Sequence, residues 1–320
     1  MIIMCCDMES GDENKLKVTI KDVASRDNME LALEYLGSKK DSCGIDGMFI
    51  SDLPDYWKVN GSKLICSILE GTYTPSTVRN FDMVNYHGKK RSLSLFNSID
   101  RLVIRAVHQV LQPACEPLLN AHCYSFREGF GVERAVTDVA DYIQNVSKWM
   151  VKLDIEKYFD NITLSIMESR ITRLLNDGKL ISLIQKLLYP KVDDEGRLVH
   201  KRKGLLQGSP LSPLLSNLYL TPLDDMLEAK SYRFARFGDD ITICCRNRDE
   251  AEVAFALVKK TINEAYNLEI NQLKSGVFEA LGQTYLGYSF IRDRNGRQII
   301  ALKNQRNRDI VSSGWYRDSV

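Results

Sequence analysis

Long apolar runs are what this chain lacks first: no stretch approaches the roughly 18 to 20 residues needed to cross a bilayer, so an integral membrane protein is not expected. The first fourteen residues carry four acids and no base, the opposite of a secretory leader, and the expected compartment is the cytoplasm. Cysteine is present but unpatterned. The eight residues, at 5, 6, 43, 66, 115, 123, 244 and 245, show no repeated C-x-x-C spacing and read as reduced thiols, not a disulfide framework. The four histidines, at 87, 108, 122 and 200, show no metal-ligand spacing. Neither sign of charge dominates. With a formal net charge of +1, any nucleic-acid surface must come from local clusters. There is no internal repeat and no low-complexity tract.

What is present is the material of an ordinary globular protein: 320 residues, 44% apolar and 27% charged, enough for a substantial core and about two domains. The organisation follows changes of periodicity. Residues 1–75 read as helical and loop-connected, with a turn at Gly44-Ile45-Asp46-Gly47 and a short helix over 63–69. An extended piece over 76–86 and a basic turn, Gly88-Lys89-Lys90-Arg91, lead to helices over 99–119 and 132–146. The second carries a helical stripe at Val132, Ala135, Val136, Val139, Ala140 and Ile143.

At Trp149 the pattern changes. WMVKLD reads as a strand ending on Asp154, followed by helices over 163–175 and 180–189 and a hairpin around Asp193-Asp194-Glu195-Gly196. A helix over 212–227 precedes RFARFGDDITICC (233–245), which reads as strand, tight turn, strand. A helix over 250–266 and strands over 284–290 and 298–302, the last two joined by Asn295-Gly296, complete the chain. Strands backed by helices on one face predict an α+β fold.

Three acids raise a chemical question. Asp154 ends one strand and Asp239-Asp240 sit at the tip of a hairpin. If those strands are neighbours, the carboxylates meet at the sheet edge. Two carboxylates about 4 Å apart repel by roughly 1 to 4 kcal/mol at effective dielectrics from 80 down to 20, so a cation is the natural compensation. Oxygen ligands suit Mg²⁺, and a pair of such ions supports in-line phosphoryl displacement. The three acids alone fit a polar turn as well as a metal site.

The order of further motifs resembles that of reverse transcriptases, particularly the bacterial group II intron type. Asp154-Ile155-Glu156-Lys157-Tyr158-Phe159 resembles the first palm motif, GLLQGSPLSPLLSNLYL (204–220) the second, FGDD (237–240) the third and LEINQLKSG (268–276) the fourth. TYLGYSF (284–290) resembles the primer grip, at Tyr285, Leu286, Gly287 and Tyr288, while GKKRSLSLFNSIDR (88–101) and YSFREGFGVERA (124–135) resemble finger motifs.

The resemblance implies a right-hand fingers and palm architecture without a complete thumb. It implies a helical extension over 1–75, fingers over 76–147, palm over 148–302 and a tail over 303–320. It implies RNA-directed DNA synthesis from dNTPs on an RNA template, from a DNA or RNA primer, with two Mg²⁺ ions or Mn²⁺ in their place. Asp154, Asp239 and Asp240 are the implied metal ligands, joined by the Ile155 carbonyl, with Lys274 assisting pyrophosphate departure. Phe159 stands where the family excludes a ribose 2′-OH. Lys90, Arg91, Gln207, Gly208 and, as a second arginine, Arg127 are the implied nucleotide contacts.

Pro210, Pro213, Ser212, Ser216 and Asn217 read as structural, and Asp224 and Asp225 as acids on a helix surface. The clusters Lys201-Arg202-Lys203 and 292–308 read as backbone contacts for nucleic acid. Two departures stand out. Asn85 occupies the place of a usual finger lysine, so either Lys89 or Lys90 supplies that charge or triphosphate binding is weaker. After Phe290 too little chain remains for a helical thumb, so either the chain is a fingers-palm fragment or a partner protein, a second copy or a structured cognate RNA is expected to complete the enzyme. Intron mobility and a domesticated anti-phage role both fit. A non-catalytic nucleic-acid scaffold and an RNA-dependent RNA polymerase are the competing functions, and Phe159 with Gln207-Gly208 favours DNA synthesis over RNA synthesis.

Overall fold

The structure, a computed structural model, describes residues 15–84, 90–145, 147–194 and 196–303. Helices and sheets are mixed, and the chain divides into two compact units, each built from two segments: Met1–Glu116 with Thr163–Ser212, and Pro117–Ile162 with Pro213–Val320. The first unit opens with helices α1 (Ile20–Val23), α2 (Arg26–Gly37) and α3 (Leu53–Glu70). Strands β1 (Val78–Val84) and β2 (Lys90–Leu95) and helix α4 (Ser98–Cys115) follow. The chain then contributes α5 (Val132–Asn145), β3 (Trp149–Asp154) and α6 (Tyr158–Asn161) to the second unit. It returns to the first with α7 (Leu164–Leu174), α8 (Gly178–Leu188), β4 (Lys191–Asp194) and β5 (Arg197–His200).

From Pro213, two residues into α9 (Leu211–Ala229), the chain belongs to the second unit. Here lie β6 (Arg233–Phe237), β7 (Asp240–Cys245), α10 (Arg248–Tyr266) and β8 (Gly276–Glu279). The short strands β9 (Thr284–Tyr285), β10 (Tyr288–Arg292) and β11 (Ile299–Lys303) end the described chain.

In the first unit, β2-β1-β4-β5 form one sheet, with β1 and β4 parallel. The helices beside it begin and end where their caps allow. Asn97 accepts a hydrogen bond from Asp100 N at 2.7 Å to start α4, and Asp177 accepts from Leu180 N at 2.8 Å to start α8. Helix α3 begins ten residues before the expected 63–69. Pro54 occupies its first turn, where a missing N–H matters least, and Gly61 makes room for the Trp57 ring. The buried carboxylate of Asp100 accepts from the Tyr73 hydroxyl and from Ser76 N, which anchors the approach to β1.

The second unit holds two sheets, β6-β7-β3-β8 and β11-β10-β9. Its core gathers the predicted stripe of α5 (Ala135, Val136, Val139, Ala140 and Ile143) with Met150, Ala235, Cys244, Tyr285 and Phe290. Two expectations change here. Strand β8 had no alternation strong enough to announce it, yet it pairs with β3 from Trp149↔Glu279 to Lys152↔Gly276. The expected single strand over 284–290 is broken by Leu286-Gly287, both at positive φ (48° and 83°), into a tight β9-β10 hairpin.

Candidate active site

The sheet of the second unit places the acids. Strands β3 and β7 run antiparallel with Asp154 opposite Asp240 at the end of the ladder. Phe237 pairs with Asp240 across the β6-β7 hairpin, so Gly238-Asp239 is a two-residue loop and Asp240 already belongs to the strand. Gly238 has φ +64°, a backbone that glycine adopts without strain. The backbone beyond the ladder is also tied: Ile155 N donates to Asp239 O at 3.3 Å and Asn271 N to Asp154 O at 2.7 Å. Ser275 Oγ accepts from Asp154 N at 3.0 Å. A strand end, a turn and the segment before β8 thus fix three carboxylates at one sheet edge.

The electrostatics follow from that crowding. Lys274 Nζ lies 3.0 Å from both carboxylate oxygens of Asp154. Asp240 is pushed up to about 7, first by burial and then by the neighbouring Asp239 and Asp154 charges, against the pull of Lys152 and Lys274. Such an excess of negative charge is the environment a divalent cation relieves. Among the described residues, no group of three or more His, Cys, Asp or Glu side chains is arranged to hold a metal ion. An open set of carboxylates, completed by water and phosphate oxygens, is what Mg²⁺ chemistry needs.

Behind the loop lies a buried polar network that revises the reading of Asp224. It is fully buried, not a surface acid, and its carboxylate receives Arg236 Nε at 2.8 Å and Nη2 at 2.5 Å. Burial by itself lowers the pKa of the Arg236 guanidinium, but Asp224 more than reverses this, so the net shift is upward. Arg236 Nη1 also donates to Asn217 Oδ1 at 3.2 Å. Asn217 bonds Ser125 twice, and Ser125 Oγ accepts from Gly238 N at 2.9 Å. The sign that the sequence offers of this network is an arginine between Ala235 and Phe237 in a predicted strand.

Other predicted residues divide between the units. In the second, Phe159 is half-buried, its ring edge-on to Tyr158 with centroids 5.7 Å apart. Tyr158 donates its hydroxyl to Ser216 O at 2.6 Å. Tyr285 is buried with its hydroxyl 3.3 Å from Ala235 O, and Leu286 and Gly287 form the hairpin loop before Tyr288. Arg127 serves the fold: its side chain is buried, and Nη1 donates to the carbonyls of Asn120 and Cys123 at 2.6 and 2.7 Å.

In the first unit, Ser94 N donates to Gln207 O at 2.8 Å. Gly208, at φ +108°, approaches so closely that an added Cβ would lie 3.0 Å from Ser94 O. Gln207-Gly208 is therefore seated on β2, the strand that carries Lys90 and Arg91. The Lys90 and Arg91 side chains, and Asn85 and Lys89 entirely, lie outside the described residues. Arg202 and Lys203 are exposed, while residues 304–308 of the second basic cluster lie outside the described residues.

This ordered set, carboxylates at the end of an antiparallel ladder with a glycine-containing loop between them, matches a known family. The profile of the reverse transcriptase (RNA-dependent DNA polymerase) family covers residues 78–290, more than half of the chain. The chain belongs to that family. Proteins encoded by introns are among its relatives. The group II intron-encoded protein LtrA of Lactococcus lactis subsp. cremoris is 30% identical over 54% of this chain and 29% of its own length. The COX1/OXI3 intron 1 protein of Saccharomyces cerevisiae is 29% identical over 52% of this chain and 20% of its own. The chain spans well under two thirds of the length of these relatives. A chain in a solved partial Cas6-RT-Cas1–Cas2 complex covers 78% of this chain and 43% of its own length, at 22% identity and a TM-score of 0.48.

Among the described residues, no helix is long and apolar enough to cross a membrane.

Proposed function

We propose that this protein is an RNA-directed DNA polymerase that adds dNTPs to a primer 3′ end on an RNA template, in a group II intron or retroelement setting. The observation that carries it is the Asp154↔Asp240 register, with Ile155 N bonded to Asp239 O. It gathers the acids of two distant motifs at one edge. In right-hand terms, the β6-β7-β3-β8 sheet with α9 and α10 corresponds to the palm.

Two divalent cations, Mg²⁺ or Mn²⁺, match the oxygen-donor chemistry of these carboxylates. Asp154, Asp239 and Asp240, with the Ile155 carbonyl, would hold them. Such ions activate the primer hydroxyl and stabilise the leaving pyrophosphate. The chain's own part is positional. The ladder keeps Asp154 and Asp240 in register, and the Gly238-Asp239 loop projects Asp239 beyond it. Lys274 holds a proton within reach of Asp154 and of an incoming triphosphate. Phe159 presents a half-exposed ring for the sugar, and in the first unit Gln207-Gly208 is seated on the strand that carries Arg91. Template and primer are expected to contact exposed Arg202 and Lys203, and a structured RNA to serve as the cognate partner.

The test is primer extension on an RNA template with Mg²⁺, supplied with dNTPs or rNTPs, in wild type and Asp239→Ala. Extension by dNTPs that vanishes in the variant supports the reading. Template binding without extension would leave a scaffold, and preferred use of rNTPs a replicase.

A further inference from the structure

We propose that Phe126 is a positioning residue for sugar discrimination: its ring fixes the orientation of Phe159. The proposal rests on the polymerase reading above and adds to it a residue outside the palm motifs. The Phe126 and Phe159 rings stand at 89° with centroids 6.3 Å apart, an edge-to-face contact. Tyr158 meets Phe159 in a similar way at 72° and 5.7 Å. Phe159 needs such support because its own element is slight. Helix α6 has four residues, and the residue before it, Lys157, is left-handed at φ 45°.

The backbone of Phe126 points the same way. Its φ is +56°, a region that a bulky aromatic residue rarely occupies. Such a conformation persists only where the surroundings impose it, and it concentrates at functional sites. Both neighbours here are held. Ser125 is bonded twice to Asn217 and accepts from Gly238 N, while Arg127 is pinned to the Asn120 and Cys123 carbonyls. Ser125 therefore ties the ring that supports Phe159 to the loop that carries Asp239. A phenylalanine serving only the core would be buried, whereas Phe126 and Phe159 are both half-exposed. Without Phe126 the Phe159 ring can tilt away and leave room for one more oxygen on the sugar.

The experiment measures kcat/KM for a dNTP and its matching rNTP on a primed RNA template, using the full chain. Phe126→Gly removes the ring while keeping a backbone that tolerates φ +56°, Phe126→Tyr keeps the ring, and Phe126→Leu serves if the glycine variant does not fold. The expected result is a fall of roughly two- to tenfold in the dNTP preference of the glycine and leucine variants, with the preference kept by tyrosine. Phe159→Ala should lose more of it. Equal losses for both nucleotides in Phe126→Gly, or an unchanged preference, would overturn the proposal. A Phe159→Ala variant with undiminished preference overturns it at its base while the polymerase reading stands. A wild-type chain that extends no primer overturns both.

Discussion

Lys274 Nζ lies 3.0 Å from both oxygens of Asp154, so the one carboxylate that ends β3 is shared between a lysine and any cation that binds at the sheet edge. Two consequences of opposite sign follow for Lys274→Ala. Losing a positioned proton donor should lower the extension rate by about a hundredfold or more. Losing a competing positive charge should lower the Mg²⁺ concentration needed for half-maximal rate. A Mg²⁺ titration of wild type and variant reads both, and a variant that needs more Mg²⁺ would assign Lys274 to metal-site organisation instead.

Asp154→Asn and Asp239→Asn should each reduce extension by at least about a thousandfold, because metal-assisted charge stabilisation amounts to several kcal/mol. Their folding should survive, since both positions stand at the sheet edge and are not fully buried. Primer extension paired with thermal melting separates the two effects. Inactivity accompanied by an unfolded circular dichroism spectrum would count against the assignment.

The Asp224–Arg236 pair makes a stability prediction. Both side chains are fully buried, so Asp224→Ala leaves an uncompensated charge inside the second unit and should lower stability by about 3 to 5 kcal/mol. The double variant Asp224→Leu with Arg236→Met removes both charges and should recover much of that loss. Denaturant midpoints for the single and double variants decide it. Equal destabilisation by both would mean that packing, not charge, is what the pair contributes.

His108 gives a pH dependence in the first unit. Burial, then the nearby Arg105 charge, pushes its imidazole down to about 4 from 6.5. The unfolded chain therefore takes up this proton more readily than the folded one. Its contribution is fully present above pH 6.5 and is lost as pH falls towards 4, by up to about 3 kcal/mol. Urea midpoints at pH 7.5 and pH 4.5 should converge between wild type and His108→Gln at the acid end. A constant difference across that range would show that the imidazole does not titrate as expected.

Ser231 follows the C-terminus of α9 at φ +59° and is exposed. Ser231→Gly should stabilise the chain by about 1 kcal/mol, because glycine adopts the left-handed backbone without a Cβ penalty. A raised melting temperature checks it, and no change would mean that the gain is offset in the unfolded ensemble.

The carboxylates were legible in the amino-acid order because this sheet edge is written locally. WMVKLD ends a strand on its acid, and Gly238 announces the turn before Asp240 resumes one. Strand β8 was not legible, since Gly276–Glu279 is four residues long and lacks strict alternation. The turn at Leu286-Gly287 was hidden for a different reason: a leucine seldom adopts positive φ, so its presence in a hairpin loop runs against local preference. Asp224 misled because an acid late in an amphipathic helix usually faces water, and its partner is brought to it only by the β6 fold.

By itself, then, the amino-acid order determined strands β3, β6 and β7, the acids at their ends and the family they belong to, because hydrophobic period, turn residues and motif order are properties of neighbours along the chain. The tertiary structure alone decided which groups share an environment. It buried Asp224 against Arg236, committed Arg127 to two backbone carbonyls, set Lys274 on Asp154 and turned Phe126 against Phe159. Each of those depends on distance and dielectric between residues remote in sequence, and both are created only when the chain packs.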